Sequence, residues 1–274
     1  MDRIFDFTDY ALLIPLVQNS LIAGALLGLM GGLIGIFVMT RDMSFAVHGI
    51  SELSFAGAAI ALLLGANVVL GASLGSVSAA VLIGVLGSKA RDRNSIIAVL
   101  MPFGLGIGIL ALALYEGRAA NKFGLLTGQI IAVDDPQVVS LALIALVVIA
   151  TLLLFWRPLN FASLDLEVAQ ARGVKTRWLG LLFMLLLGLA VAASVQVVGA
   201  LLVMTLLVTP AAAALRITAS PLVAPILSVV FAITAVVGGI LLALGGGLPI
   251  SPYVTTISFA IYLIARVIER VRAK

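Results

Sequence analysis

The chain of 274 residues contains no cysteine and few charged residues. The lack of cysteine excludes a disulfide framework and any metal or redox site built on thiolates. Asp, Glu, Lys and Arg together make up only 10% of the residues, whereas 63% are hydrophobic. A soluble domain is roughly a quarter charged, so this chain cannot cover a water-facing surface. The composition therefore excludes an ordinary soluble protein.

Three further observations narrow the class of protein. No GxxxxGK[ST] phosphate loop occurs, so the chain cannot supply its own ATPase. The acidic segment Met1–Tyr10 lacks the basic region and cleavage site of a signal peptide, so we expect the first span to stay in the mature protein. The sequence pI of about 9.8 reflects positive charge sorted to one membrane face rather than a nucleic-acid partner.

Six long stretches without charge point to membrane-spanning helices. Each meets or exceeds the roughly 20 residues that span about 30 Å of hydrocarbon, and three are about twice too long for one pass. We place their turns at Gly65-Ala66-Asn67, near Ser194-Val195-Gln196, and at residues 245–249. The sequence thus predicts an all-α polytopic protein forming a single transmembrane domain over residues 1–274. Its nine predicted spans are 13–40, 44–65, 67–88, 94–116, 137–156, 178–195, 197–215, 222–244 and 251–268.

The distribution of lysine and arginine supports nine spans with the N-terminus outside and the C-terminus in the cytoplasm. In that topology 13 basic residues lie on the cytoplasmic side, and only Arg3, Arg118 and Lys122 lie outside. If residues 178–215 formed one span instead of two, the tally would become 8 to 8 and the bias would vanish. The charge pattern therefore favours nine spans.

Glycines recur at the small-xxx-small spacing that lets membrane helices approach closely. We predict that they form packing seams, with hinges as the alternative. They are Gly24, Gly28 and Gly32, then Gly31 and Gly35, Gly71 and Gly75, and Gly104 and Gly108.

Residues 160–174, in a predicted cytoplasmic loop, have the pattern of a short amphipathic helix. Asn160 and Ser163 are candidate caps, acidic residues follow in the first turn, and Arg172-Gly173 is a typical end. A cytosolic helix between two spans suits docking into a partner's groove. The alternative is a helix lying on lipid, which its carboxylates disfavour near an anionic leaflet.

The external loop Glu116–Gln137 has an apolar centre, Phe123–Val133, that is too short to span the membrane. It is interpreted either as an external cap or docking surface, or as ordinary loop packing.

His48 and Glu52 form the one ionisable pair inside a predicted span, and His48 is the only histidine of the chain. Their i, i+4 spacing places both on one helix face. A carboxylate in a membrane costs at least a few kcal/mol, so it must face a cavity or a partner. Imidazole nitrogen with carboxylate oxygen suits Zn²⁺ or Mn²⁺. Metal transit is the favoured interpretation, with structural pairing and a proton relay left open.

Four segments in order carry a resemblance to a known family. They are Gly35–Phe45, Phe123–Val133, Leu164–Val174, and Val198–Ala214, which runs from Gly-x-Leu-Leu to Pro-Ala-Ala. In these segments the chain resembles the membrane permease subunits of bacterial zinc and manganese ABC importers. The family commonly carries Asp and then His after Met-Ser-Phe, whereas His48 and Glu52 reverse that order and Ala56 replaces a usual proline.

The resemblance implies a homodimeric permease in the bacterial plasma membrane, in contact with lipid, two copies of a cytosolic ATPase and an extracytoplasmic metal-binding protein. It implies no stably bound cofactor, only transported zinc or manganese. It also implies that the segment 160–174 couples ATP hydrolysis to the gates. The expected coupling residues are Leu164, Asp165, Glu167, Val168, Ala171 and Gly173.

Two other functions fit the sequence less well. An intramembrane hydrolase would need a nucleophile and base facing a water-filled cavity, and one histidine with one buried acid is too sparse a set. A proton-coupled secondary transporter using Glu52 and His48 should carry more buried ionisable groups, and it would leave the segment 160–174 unexplained. The leading hypothesis is therefore the permease of a metal importer, without enzymatic activity of its own.

Overall fold

A computed structural model describes residues 14–87, 90–117, 125, 133–200, 202–245 and 250–272. These residues are overwhelmingly helical, and the described part of the chain contains no strand. A 3₁₀ turn at Ile14–Val17 precedes the first α-helix. In chain order the helices are α1 Gln18–Thr40, α2 Ser44–Leu63, α3 Val68–Leu86, α4 Ala90–Leu114, α5 Asp135–Leu154, α6 Trp156–Leu164, α7 Leu166–Ala171, α8 Thr176–Val198, α9 Val203–Leu207, α10 Thr209–Ile217, α11 Val223–Gly245 and α12 Ile250–Arg272.

Eight helices among the described residues are long and apolar enough to cross a membrane. They are α1 to α5, α8, α11 and α12. In hydrocarbon a backbone must satisfy its own hydrogen bonds, which leaves the helix as the spanning form for runs of this length. The predicted all-α, multi-pass fold is therefore confirmed.

The run from 178 to 215 divides at a different point from the one predicted. Ser194-Val195-Gln196 lies inside α8, which continues to Val198, so the predicted break there is wrong. The helix ends at Gly199, whose φ of 78° is the left-handed backbone region that glycine adopts most easily.

The segment predicted as the seventh span is two short helices, α9 and α10. Pro210 lies in the first turn of α10, where a missing N–H costs little, but its ring would disrupt a helix continuing from α9. Val203–Ile217 is apolar but spans only about 22 Å at 1.5 Å per residue. Length alone therefore gives eight spans, and the nine-span count and the orientation stay predictions.

The helices group into two compact units. That residues 1–274 form a single transmembrane domain stays a prediction. The first comprises residues 1–36, 129–145 and 205–274. In it the early part of α1 packs on α11: a Cβ added at Gly28 would lie 3.0 Å from the Ile233 backbone, and one at Gly32 would lie 2.6 Å from the Val229 Cα. The Ser228 hydroxyl donates to the Gly32 carbonyl at 2.8 Å. The predicted seam of Gly24, Gly28 and Gly32 is confirmed.

The second unit comprises residues 37–128 and 146–204. Helix α2 lies at its centre and packs against α3, α4 and α8. Twelve of the twenty residues of α2 are buried, among them Phe55. At the end where α1 finishes, the rings of Phe37 and Trp156 pack edge to face with their centroids 4.8 Å apart. The centroid of the Phe183 ring lies 6.1 Å from that of Phe37. The helix that carries His48 and Glu52 is thus the core helix of this unit.

The topology prediction can be tested with single cysteines, because the chain has none of its own. Ala66→Cys and Ala219→Cys are both at exposed positions. If Val203–Ile217 crosses the membrane, a membrane-impermeant maleimide should label Ala66→Cys in intact cells, whereas Ala219→Cys should label only after permeabilisation. Labelling of both cysteines in intact cells would exclude the nine-span topology.

Candidate functional site

The structure brings His48 and Glu52 together on α2. The His48 Nε2 and Glu52 Oε1 atoms are 3.5 Å apart, and their side chains are 32% and 8% exposed respectively. Two residues separated by one helical turn point to the same side, so their contact follows directly from the sequence spacing. The pair therefore combines a buried carboxylate with an imidazole that reaches the surface of the unit.

Close glycine contacts hold α2 against α3. A Cβ added at Gly57 would collide with the carbonyl oxygen of Gly71, and one at Gly75 would collide with the carbonyl oxygen of Leu53. Such contact between backbones is how helices associate in lipid, where the hydrophobic effect between helices is absent. The predicted Gly71/Gly75 seam is confirmed, and the Leu53 carbonyl that Gly75 contacts belongs to the residue after Glu52.

A second seam holds α2 against α4. A Cβ added at Gly104 would lie 2.8 Å from the Leu53 side chain and 3.0 Å from the Glu52 carbonyl carbon. Gly108 leaves room for the ring of Phe55 in the same way. Since both seams flank Glu52, its backbone position is fixed by packing and not by the carboxylate itself.

Hydrogen bonds join the same part of α2 to the non-helical backbone after α8 and to α3. The Ser51 hydroxyl donates to the Ala200 carbonyl at 3.1 Å, just beyond the end of α8 at Gly199. The Ser54 hydroxyl donates to the Ala72 carbonyl on α3 at 3.1 Å. Non-helical backbone at membrane depth is tolerated only where protein or a water-filled cavity surrounds it. The break after α8 therefore lies beside the ionisable pair.

The pair offers two of the ligands that a divalent metal needs. In the described part of the chain no group of three or more His, Cys, Asp or Glu side chains is close enough to hold a metal ion. Structural zinc sites are closed by four ligands, and catalytic sites by three with an open position. Two ligands from one chain therefore suit brief contact with a passing ion, and a tighter site would require further ligands.

Two other polar features of the apolar segments have structural roles. Gln196 Nε2 donates to the Val69 carbonyl at 3.4 Å, which joins α8 to α3. The Thr209-Pro210 step begins α10.

The structure divides the predicted helix 160–174 into two helices. Asn160 and Ser163 belong to α6, so the prediction that they cap the short helix is wrong. Asp165 is the cap of α7 instead: its extended backbone (φ −148°, ψ 105°) lets its carboxylate accept from the Val168 N–H at 2.9 Å. The predicted end is confirmed, because Gly173 has a φ of 79°.

Helix α7 and the last residue of α6, Leu164, present apolar side chains to the surface. Leu164, Leu166 and Val168 are 75%, 55% and 45% exposed, whereas Ala169 is buried against the rest of the unit. Asp165 and Glu167, interleaved with them, are exposed as well. The segment therefore forms a small apolar and acidic projection. The external segment Phe123–Val133 lies almost wholly outside the described residues.

Comparison with known proteins gives the class. The sequence model of the ABC 3 transport family matches residues 13–269. The manganese transport system membrane protein MntC of Halalkalibacterium halodurans is 31% identical over 241 residues, covering 88% of this chain and 82% of the relative. The zinc uptake membrane protein ZnuB of Haemophilus influenzae is 24% identical over 225 residues, covering 82% of this chain and 86% of the relative.

A solved structure matches the fold over nearly its full length. A chain of PsaBC from Streptococcus pneumoniae, solved in complex with a Fab, superposes with a TM-score of 0.84 at 25% identity, covering 95% of each chain. The protein belongs to the ABC 3 transport family, which confirms the predicted relationship. With eight apolar helices of membrane-spanning length among its described residues, it is a multi-pass protein of the plasma membrane.

The seam beside Glu52 generates a stability prediction. In Gly75→Ala the new methyl group collides with the Leu53 carbonyl, and overpacking of this kind costs about 1–3 kcal/mol. We expect a lower unfolding temperature in detergent, measured by loss of the monodisperse peak after heating. Gly106→Ala is the matched control, because a Cβ there meets no atom within 4 Å. Equal unfolding temperatures for the two variants would contradict the seam.

Proposed function

We propose that this chain is the permease subunit of an ATP-driven importer of manganese or zinc. Relatives whose names state manganese or zinc transport support the substrate class. The observation that carries the proposal is the buried carboxylate beside an imidazole on the central helix of a chain from this family. Since the sequence contains no phosphate loop, a separate cytosolic subunit hydrolyses ATP.

In this proposal His48 and Glu52 are transit ligands for the metal, and the metal is substrate. A neutral imidazole and a carboxylate bind a borderline divalent cation, and only two ligands per chain keep the binding weak enough for release. A second copy of the chain would bring a second pair, so a homodimer accounts for a pathway with more ligands. An extracytoplasmic binding protein would deliver the metal.

We expect Glu52→Gln and His48→Ala to reduce uptake of radioactive manganese and zinc about tenfold or more, since even outer-shell partners of a metal contribute that much. Glu52→Gln keeps the shape of the side chain and removes its charge. The measurement is uptake by proteoliposomes that contain the permease and its ATPase, normalised to the permease present.

Glu116→Gln is the matched control: it makes the same chemical change at an exposed carboxylate two residues beyond the end of α4. It should transport normally. Wild-type uptake by the His48→Ala, Glu52→Gln double variant would refute the transit site. Low uptake together with loss of the protein from the membrane would point to a folding defect, so the amount in the membrane is measured in parallel.

We further propose that α7 couples the permease to its ATPase. Its exposed apolar residues, interleaved with Asp165 and Glu167, suit a groove on a soluble partner better than an anionic lipid surface. Coupling would involve the Asp165 cap and the exposed Leu164, Val168 and Ala171, with Gly173 ending the helix. A short helix is marginally stable alone, so its cap matters.

Asp165→Ala removes the bond to the Val168 N–H and should cost about 1 kcal/mol of helix stability. We expect weaker co-purification of the ATPase and less uptake per ATP hydrolysed. Asn67→Ala is the matched control, because Asn67 caps α3 by accepting from Val69 and Leu70. Equal loss of coupling in both variants would show that general destabilisation, and not α7, is responsible.

A further inference from the structure

A cavity of about 740 Å³ lies within the second unit, at the end where α1 finishes and α8 begins. The positive-inside pattern predicts that this end faces the cytoplasm. Its walls come from the turn after α1, the end of α3, the start of α4, helices α6 and α7, and the first turns of α8. It is separate from the His48–Glu52 pair, neither of whose residues lines it.

The charges that line the cavity are unbalanced. Arg41, Arg93 and Arg177 line it, with Asp42 as the one acidic lining residue. Asp42 lies beyond ion-pair distance of all three arginines in the described part of the chain, but its charge acts on Arg93 and so offsets part of the positive charge. Positive charges collected around a concave surface attract an anion, and the low-dielectric walls strengthen that attraction.

Arg41 is held in place by its neighbours. Its Nε donates to the Ser163 hydroxyl at 2.7 Å and its Nη2 to the Leu159 carbonyl at 3.3 Å, while its guanidinium lies 4.9 Å from the centre of the Phe183 ring. Burial, and secondarily the charge of Arg93, lowers the pKa of Arg41 to about 10. It is still cationic at neutral pH, because its pKa remains far above 7.

Arg93 has donor capacity that the protein does not use. Its Nη2 donates to the Arg41 carbonyl at 3.4 Å, but its Nε is buried and has no acceptor among the described residues. A buried guanidinium donor without a partner costs free energy. Arginine presents a planar set of donors that matches the oxygens of a phosphate group.

The remaining walls are part polar, from Thr40, Ser163, Gln170 and Thr176, and part apolar. Met43, Ile83, Leu181 and Met184 line the cavity beside the arginines. A free phosphate ion would leave this apolar surface uncovered, whereas a phospholipid offers both a phosphate and hydrocarbon. Basic pockets between helices on the cytoplasmic side are known to bind anionic headgroups. We propose that this cavity binds a phosphate group, and that an anionic phospholipid supplies it.

The proposal can be tested on the full chain in detergent by native mass spectrometry with dioleoyl phosphatidylglycerol, and with the matching phosphatidylcholine for comparison. We expect one phosphatidylglycerol to bind more tightly than phosphatidylcholine. Arg93→Gln should weaken that binding about fivefold, the effect of one basic residue near an anionic lipid. Gly180→Leu should abolish it, because an added Cβ there meets no atom within 4 Å and so enters the open cavity.

Gly106→Leu is the matched control, since its added Cβ also meets open space but does not line the cavity. It should bind lipid as the wild type does. Unchanged phosphatidylglycerol binding in Gly180→Leu would refute the site. Displacement of the lipid by millimolar inorganic phosphate would assign the cavity to free phosphate, and displacement by the ATPase subunit would assign the arginines to a protein interface; either result overturns the lipid assignment.

Discussion

Helices in lipid associate largely through close packing of their backbones, and the glycines of this chain determine where that occurs. Gly75 packs against the Leu53 carbonyl and Gly104 packs against the Glu52 backbone, so α2 is in close backbone contact with α3 on one side and α4 on the other. In the other unit, Gly28 and Gly32 allow the same close contact between the backbones of α1 and α11. A larger residue at any of these positions would force the helices apart.

That packing explains how a carboxylate is kept inside an apolar protein. Glu52 is buried because the helix that bears it is held from both sides, and His48 one turn away supplies a partner at 3.5 Å. The backbone beside it is irregular after Gly199, where Ala200 accepts from Ser51. An ionisable side chain next to non-helical backbone agrees with the transit site proposed above.

At the other end of the same unit, α7 and the basic cavity share residues. Leu166 and Gln170 belong to α7 and also line the cavity. Gln170 Nε2 donates to the Thr176 hydroxyl at 3.0 Å, which ties α7 to the start of α8. A lipid bound in the cavity would therefore contact the helix proposed to meet the ATPase, and it would do so through Leu166, which is itself one of the exposed apolar residues of α7.

The helical fold, the glycine seams and the contact of His48 with Glu52 could all be predicted from the residue pattern, because each depends on length, charge or spacing along one helix. The break after α8 and the cap of α7 are at other residues than predicted, because several residues in each segment are compatible with a helix end or a cap, and the structure shows that Gly199 and Asp165 take those positions. The cavity is a product of tertiary structure alone. Arg41, Arg93 and Arg177 lie far apart in the sequence, and only the packing of α3, α4, α6 and α8 places three like charges around one space.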